Sequence, residues 1–416
     1  MRVLFVSHNA LPEANAPASR LGAHAEEWVK HGEVEILTAP PNFPEGRVYE
    51  GYSNTFTQEQ HGRLTMTRVP IFVAANSGVL RRFLSFISFM VSAVWYARRL
   101  TPPDIVVASS PQFFTALAGY RIAKRFGVPF VLEVRDLWPE SIVVVGAMKR
   151  NAVIRFFERV ERFLYRNADH IVSVTRGIET HVLQRGGVLD RATLITNGVN
   201  PQLVNPEVES AEIQQVRERT GLTDPAKFIV GYVGTIGMAH RVDIVYEAAR
   251  LCPHPDIHFV VVGAGAGREQ LEALVQAQPL DNFTLAGKLP RHDIPALLTL
   301  IDVSIVHLMD TPLFRGAIPS KMFEAMGTGT PLVVGLRGES EAIVEASAAG
   351  LLFQPESEME LLEQVVRLHS DPDLYAQLAR NGPPFVAEHF DRTTLAHEYW
   401  DLLANVVSLG EPSSRY

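Results

Sequence analysis

Phe314 to Gly335 reads FRGAIPSKMFEAMGTGTPLVVG, and the reading of the whole chain starts from it. It parses as a loop, a short helix, a glycine turn and a strand. Ser320 is a natural N-cap, Pro319 stiffens the entry, and Lys321-Met322-Phe323-Glu324-Ala325-Met326 is a run of helix formers. Gly327 and Gly329 stop the helix, and Pro331 opens the buried strand Leu332-Val333-Val334. Lys321 is the residue out of place. A cation in the first turn opposes the helix dipole, which favours anions there. A bound anion removes the conflict, because free N–H groups, dipole and lysine then all address it. Glu324 shares the face of Lys321 and is placed to accept hydrogen bonds from a ribose diol. The plainer alternative is an ordinary helix with a Lys–Glu surface pair.

Outward from this stretch, the chain alternates strand and helix. Arg2–His8 is a buried parallel strand by composition, Asn9–Ser19 a loop, Arg20–Lys30 a helix and Val34–Thr38 a strand. Ala39–Gly62 is irregular, and Leu64–Pro70 is a further strand. Asp104–Ser109, Pro129–Val134, His170–Thr175 and Ala192–Thr196 are strands with helices between them. Asn197-Gly198-Val199-Asn200-Pro201 is turn-rich and marks a domain boundary. Beyond it, Phe228–Val233, His258–Val262, Phe283–Ala286, Val303–His307 and Leu332–Gly335 repeat the pattern. The fold class is α/β, with two doubly wound halves whose ligand chemistry belongs at the carboxyl ends of the strands. The domains are expected at residues 1–200 and 201–390, with 391–416 holding an amphipathic helix that returns to the first.

The 416 residues suit two or three domains, and the apolar fraction of 47 % supplies a real core. A net charge of −8 gives no bulk attraction for nucleic acid. The single cysteine, Cys252, excludes an internal disulfide and a cysteine-ligated metal, and with the missing signal peptide points to a reducing cytoplasm.

Gly78–Leu100 carries no charge from Phe83 to Ala97, between Arg81-Arg82 and Arg98-Arg99. That apolar run is shorter than the about 20 residues a membrane span needs. Two readings stand. Phe83–Tyr96 dips into a membrane interface with arginines on anionic headgroups, or it is a helix buried against its neighbours.

Candidate chemistry elsewhere is sparse. Arg135-Asp136-Leu137-Trp138-Pro139-Glu140-Ser141 sits at the carboxyl end of an apolar strand, where an α/β fold keeps its reacting groups. Gly234-Thr235-Ile236-Gly237, with His240 and Arg241 just behind, brings bare backbone and cations to the end of another strand, suited to neutralising a diphosphate leaving group. Gly263–Arg268 has the spacing of a dinucleotide turn but lacks the acidic residue that would hold a ribose, so a tight strand–helix turn is the better reading. No metal site is expected: Asp371-Pro372-Asp373 precedes a helix, where Asp is a cap, and prolines keep His254 and His258 off a helix.

Together, the glycine loop after the second half's first strand, PSKMFEAMGTGTPLVV, VLEVRDLWPES, NGVN and the Phe83 stretch resemble the GT-B retaining glycosyltransferases of family 4, in the branch that builds bacterial polysaccharide and O-antigen. The resemblance spans essentially the whole chain. It implies two Rossmann-like domains facing a central cleft, a final helix crossing back, and transfer of a sugar from a nucleoside-diphosphate donor, UDP-sugar being the expectation. It implies retained anomeric configuration, no metal and no cofactor beyond that co-substrate. The expected acceptor is lipid-linked or a saccharide, and the expected location is cytoplasmic, peripheral on the inner face of the membrane.

Carried onto this sequence, the resemblance assigns Glu324 to the ribose, Lys321 with the stretch Ala317, Ile318, Pro319 and Ser320 to the diphosphate, and Gly316 to the donor-sugar side of the same site. Gly287, Lys288 and Leu289 lie against the base. Gly234, Thr235, Gly237 and His240 form the glycine loop, and Asp136, Lys321 and Arg241 are the catalytic candidates. Asn15, Ser19, Arg20 and Arg135 belong to the acceptor side. Three positions depart from the family pattern: Gly316 replaces a glutamate, Thr235 and His240 replace the usual Arg and Lys of the glycine loop, and Ala16-Pro17-Ala18 replaces paired glycines. Arg241 or Lys321 would then supply the missing charge. A sugar-nucleotide epimerase and a non-catalytic nucleotide-sugar-binding protein are the competing readings of the same architecture.

Overall fold

The computed structural model describes residues 1–13, 15–43, 46–74, 79–110, 112–146 and 148–410. The chain divides into two compact units: Met1–Thr196 with the chain from Arg392 onward, and Asn197–Asp391.

The first unit is one sheet with helices on it. Its strands are β1 (Arg2–Val6), β2 (Glu33–Thr38), β3 (Thr57–His61), β4 (Leu64–Arg68), β5 (Ile105–Ser109), β6 (Phe130–Val134), β7 (His170–Ser173) and β8 (Ala192–Leu194). They lie in the order β3-β4-β2-β1-β5-β6-β7-β8, with only the β3–β4 pair antiparallel. Strand order reverses between β1 and β5, which is where a doubly wound sheet opens a crevice for a ligand. The helices are α1 (Ala16–Trp28), α2 (Val79–Tyr96), α3 (Phe113–Phe126), α4 (Glu140–Val144), α5 (Ala152–Asn167) and α6 (Arg176–Gln184).

In the second unit, α7 (Ser210–Thr220) precedes β9 (Phe228–Val233), α8 (Asp243–Leu251), β10 (Ile257–Val262), α9 (Arg268–Ala277), β11 (Phe283–Ala286) and α10 (Ile294–Leu300). Then come β12 (Val303–His307), α11 (Lys321–Gly327), β13 (Leu332–Gly335), α12 (Glu339–Ser347), β14 (Gly350–Leu352), α13 (Glu358–Ser370) and α14 (Pro372–His389). The six strands are all parallel in the order β11-β10-β9-β12-β13-β14, so this sheet reverses between β9 and β12. Its central strands are Val- and Ile-rich because both faces are covered.

The final helix, α15 (Arg392–Gly410), packs on the first unit, as the resemblance implies. The Trp28 indole donates to the Ala396 carbonyl at 2.9 Å, and its ring meets Tyr399 edge-on. Gly32 leaves room for Trp400: a Cβ there would lie 2.5 Å from the indole.

Three local expectations change. Helix α1 starts at Ala16, inside the segment read as loop, because Asn15 caps it by accepting from the Ala18 amide at 3.0 Å and Pro17 fits the first turn. Strand β3 lies in the segment read as irregular. Its sequence TQEQH is polar because four of its five residues are exposed at the sheet edge, so no alternation marks it. Helix α2 fits neither of its two readings whole. Phe89 and Ala93 are fully buried on one side, while Leu84, Ile87, Val91 and Trp95 are 38–61 % exposed on the other.

Candidate functional site

In the second unit the site lies at the β9/β12 reversal. Strand β9 ends at Val233 and turns at Gly234, whose φ of 137° is in the region that favours glycine. A Cβ at Gly234 would sit 3.4 Å from the Lys321 ammonium. Lys321 is the first residue of α11, and its Nζ is buried without a hydrogen-bond partner. It lies 3.5 Å from the centroid of the Tyr232 ring on β9, a cation–π arrangement. Burial pulls its pKa down to about 7, while Glu324 acts to raise it. The Tyr232 hydroxyl donates to the Thr235 carbonyl at 2.7 Å, which fixes the ring under the ammonium. The site therefore presents a desolvated cation beside bare glycine backbone, at the start of a helix.

His240 follows the same loop. Burial first, then the charge of Lys321, lower its pKa to about 3, so its imidazole is neutral at physiological pH. That corrects its expected role as a cation. Its carbonyl accepts from His307 Nδ1 at 2.9 Å, and His307 Nε2 accepts from the Glu356 amide at 2.9 Å. His307, at the carboxyl end of β12, is thus held as the neutral Nδ1–H tautomer and pins the loop. Arg241 is also corrected. Its guanidinium is forked onto Asp243 at 2.9–3.2 Å and onto Glu356 at 2.8 Å, so its charge is already matched. Lys321 is left as the available charge at this turn.

The loop before α11 behaves differently from its sequence reading. Ser320 makes no side-chain cap bond, because its backbone is already helical there. The Ala317 amide donates to the Phe314 carbonyl, and the Ala317 carbonyl accepts from Ser340 Oγ at 2.7 Å, so Ala317 holds the loop and has no amide left for a ligand. Pro319 has no N–H. Among the described residues, the Ile318 and Ser320 amides make no backbone hydrogen bond and remain available. Gly316 brings no side chain to the loop. Gly237 packs on His240, where a Cβ would come 2.9 Å from Nδ1. Gly287 and Lys288 are exposed after β11, and Leu289 packs partly against the core. Gly263 and Gly265 serve backbone packing: a Cβ would come 1.8 Å from the Gly234 carbonyl and 2.3 Å from that of Ile236.

In the first unit, Asp136 follows β6. Its surface is open, yet desolvation by the protein around it raises its carboxyl pKa, against a backbone hydrogen bond at Leu137 and the Arg135 charge. Arg135 beside it has an unpartnered buried Nε, and burial lowers its pKa to about 10, so it stays cationic. Arg20 is corrected as an acceptor contact. It is 6 % exposed, donates Nε to Glu133 at 2.8 Å, and gives its other nitrogens to the carbonyls of Thr196 and Ile195. Asn15 is spent on capping α1, and the Ser19 amide continues that turn by donating to the Asn15 carbonyl. Sequence reasoning missed Tyr232 and His307. Both sit in apolar strands, and only the position of His307 at a strand's carboxyl end could have flagged it. Among the described residues no group of three or more His, Cys, Asp or Glu could hold a metal ion.

Two family models match this chain, the glycosyl transferase 4-like domain over residues 15–198 and glycosyl transferases group 1 over residues 214–384. The chain belongs to the family 4 glycosyltransferases of GT-B fold. This glycosyltransferase is 26 % identical over 340 residues to WcaI of Escherichia coli (strain K12), named as a colanic acid biosynthesis glycosyl transferase, covering 80 % of this chain and 83 % of that one. It is 28 % identical over 338 residues to the 2-deoxystreptamine glucosyltransferase of Streptomyces kanamyceticus, covering 79 % and 84 %. The crystal structure of Anabaena HepE in complex with UDP-glucose shares its fold with a TM-score of 0.71, at 18 % identity over 97 % of this chain and 100 % of that one.

Proposed function

We propose that this glycosyltransferase moves a hexosyl group from a UDP-sugar to a lipid-linked or saccharide acceptor in cell-surface polysaccharide biosynthesis, with retained anomeric configuration and no metal. The observation that carries the reading is the buried, unpartnered Lys321 ammonium beside Gly234. An unpaired buried cation is costly, and a diphosphate is the anion that offsets the cost. Lys321 and the amides of Ile318 and Ser320 hold the diphosphate, and Glu324 accepts from the ribose. Gly234, Thr235 and Gly237 let the phosphates approach backbone, and Gly287, Lys288 and Leu289 lie along the base. The HepE complex with UDP-glucose supports the choice of uridine, and WcaI supports a polysaccharide pathway.

As the bond to the anomeric carbon breaks, negative charge grows on the leaving diphosphate. Lys321, already desolvated, stabilises it at little reorganisation cost. The acceptor hydroxyl attacks on the face the diphosphate leaves, and the departing phosphate takes its proton. Asp136 and Arg135 position the acceptor in the first unit.

The acceptor reaches the enzyme at the cytoplasmic face of a membrane. The exposed stripe of α2, Leu84, Ile87, Val91 and Trp95, is flanked by exposed Arg81, Arg98 and Arg99. Helix α5 adds exposed Phe156 and Phe163 among Arg155, Arg159, Arg162 and Arg166. Apolar side chains set among arginines complement an anionic lipid surface. No described helix is long and apolar enough to cross a membrane.

A thermal-shift panel of uridine, guanosine, thymidine and adenosine diphosphate sugars tests the donor, followed by product analysis for anomeric configuration. A rise in melting temperature with the uridine sugars is expected. Absence of any shift across the panel sinks the donor assignment, and an isomerised donor without acceptor replaces transfer by epimerisation.

A further inference from the structure

Asp136 is followed by a segment that apolar packing anchors at one end only. Leu137 is buried, and the Trp138 ring lies 5.1 Å from the rings of Phe113 and Phe157. Helix α4 comes next, and none of its five residues is buried. Apolar burial therefore does not hold α4 down. Its first residue, Glu140, reaches across to His181 and Arg185 of the α6 region instead.

His181 stands between two carboxylates from different helices. Its Nε2 lies 3.0 Å from Glu161 Oε1 on α5, and its Nδ1 lies 3.7 Å from Glu140 Oε2 on α4. Arg185, just past the end of α6, spans the same pair at 3.5 Å from Glu161 and 3.6 Å from Glu140. The Glu161 side chain is 1 % exposed and that of His181 13 %. The Tyr165 hydroxyl donates to Glu161 Oε1 at 3.2 Å. Burial first, then the Glu161 charge, hold the Tyr165 phenol well above the ordinary tyrosine range, and the Asp136 carboxylate acts the same way. The charged and titratable groups facing His181 are thus Glu140 from α4, Glu161 and Tyr165 from α5, and Arg185 from the end of α6, with Asp136 acting on Tyr165 from the turn before α4.

Two carboxylates share one guanidinium here. A neutral imidazole donates to one of them, turns a bare lone pair to the other and leaves a negative charge unmatched. An imidazolium donates from both nitrogens and balances the cluster. We propose that His181 is a positioning residue: as an imidazolium it clasps α4 to α5 and so fixes the turn that presents Asp136. That this turn serves the acceptor rests on the proposed function; the clasp does not. The clasp is complete while His181 holds its proton and slackens as pH rises and the proton leaves. Arginine does not deprotonate in proteins, and the Tyr165 phenol stays protonated, so neither produces that response.

The test is hydrogen–deuterium exchange of the full-length enzyme at pH 6 and pH 8.5, corrected for intrinsic rates. It follows residues 141–146, where the Ser141, Val145 and Gly146 amides donate to the carbonyls of Leu137, Ser141 and Val143. Wild-type protection there is expected to fall about fivefold or more at pH 8.5, while strand β6 keeps its protection. His181→Gln, which carries no charge, should be poorly protected at both pH values. His181→Lys, charged throughout this range, should be protected at both. Glu140→Gln should match His181→Gln. Glu140 is partly exposed and Glu161 keeps its other partners, so this variant tests the clasp even where His181→Gln does not fold. Equal wild-type protection at both pH values, or wild-type behaviour in Glu140→Gln, overturns the clasp. Protection lost from β6 together with α4 assigns His181 to general stability and overturns it as well. UDP-glucose affinity should be the same in wild type and variants at a given pH. Wild-type enzyme that binds no UDP-sugar removes the proposed function and leaves the clasp standing, whereas pH-independent protection removes the clasp and leaves the function.

Discussion

The Lys321 ammonium stands 3.5 Å from the centre of the Tyr232 ring, buried, and without a hydrogen bond. Burial holds its pKa at about 7, far below the ordinary lysine value. The free site is therefore poised to gain a proton when an anion arrives. Binding of UDP at pH 8 is expected to take up close to one proton, and at pH 6 much less, because the lysine is then charged beforehand. Calorimetry in buffers of different ionisation heat reads this directly. Proton uptake of zero at pH 8, or the same uptake in Lys321→Met, removes Lys321 from the diphosphate. The sign for stability follows from the same pKa. The unfolded chain binds the extra proton between about pH 7 and 10.4, so the free protein gains stability as pH rises through that window. Lys321→Met should flatten that gain.

Turnover of Lys321→Ala should fall at least tenfold, a loss of about 1.4 kcal/mol or more of transition-state stabilisation. Glu324→Ala should weaken UDP binding with a smaller effect on turnover at saturation. Wild-type turnover in folded Lys321→Ala, or wild-type UDP affinity in Glu324→Ala, counts against the respective role.

Arg20 and Glu133 form a buried ion pair at 2.8 Å, with side chains 7 % and 2 % exposed. Arg20→Ala leaves a carboxylate buried alone and should cost about 3–5 kcal/mol. Arg20→Met with Glu133→Leu should recover much of that loss, because the uncompensated charge is gone. Denaturant unfolding of the single and double variants decides it; equal stability of wild type and Arg20→Ala would show that the pair holds nothing.

His24 lies between Trp28 and Tyr399 with both ring nitrogens unbonded. Burial first, then Arg20, Arg392 and Arg135, hold its pKa well below the ordinary histidine value. Below about pH 6.5 the unfolded chain takes a proton that the folded one refuses, so stability falls with falling pH. His24→Phe should keep stability at pH 8 within about 1.5 kcal/mol and lose less of it at pH 5. An unchanged acid slope in this variant removes His24 from the acid sensitivity.

Wild-type enzyme should float with vesicles containing anionic lipid at low salt, and Trp95→Asp with Val91→Asp should not. Flotation unaffected by both the aspartates and high salt returns the α2 stripe to an uninvolved surface.

Much of the second unit was legible because its strands are apolar runs of a distinctive length. Phe228–Val233, Phe283–Ala286, Val303–His307 and Leu332–Gly335 are strands at the expected bounds. Strand β3 was illegible because an exposed edge strand needs no apolar alternation. The start of α1 was missed because Asn15 sits among prolines and alanines that read as loop, and its capping bond is a matter of geometry.

The amino-acid order alone fixed the α/β alternation, the two doubly wound halves and the place of Lys321 at a helix start, since hydrophobic period and turn residues are local properties. Tertiary structure decided which charges are free. Arg20, Arg241 and His240 looked equivalent to Lys321 as cations in the sequence. Packing brought Glu133 to Arg20, Asp243 and Glu356 to Arg241, and low-dielectric surroundings to His240. Lys321 met the face of the Tyr232 ring and no hydrogen-bond partner for its ammonium, because charge depends on neighbours that lie far away along the chain.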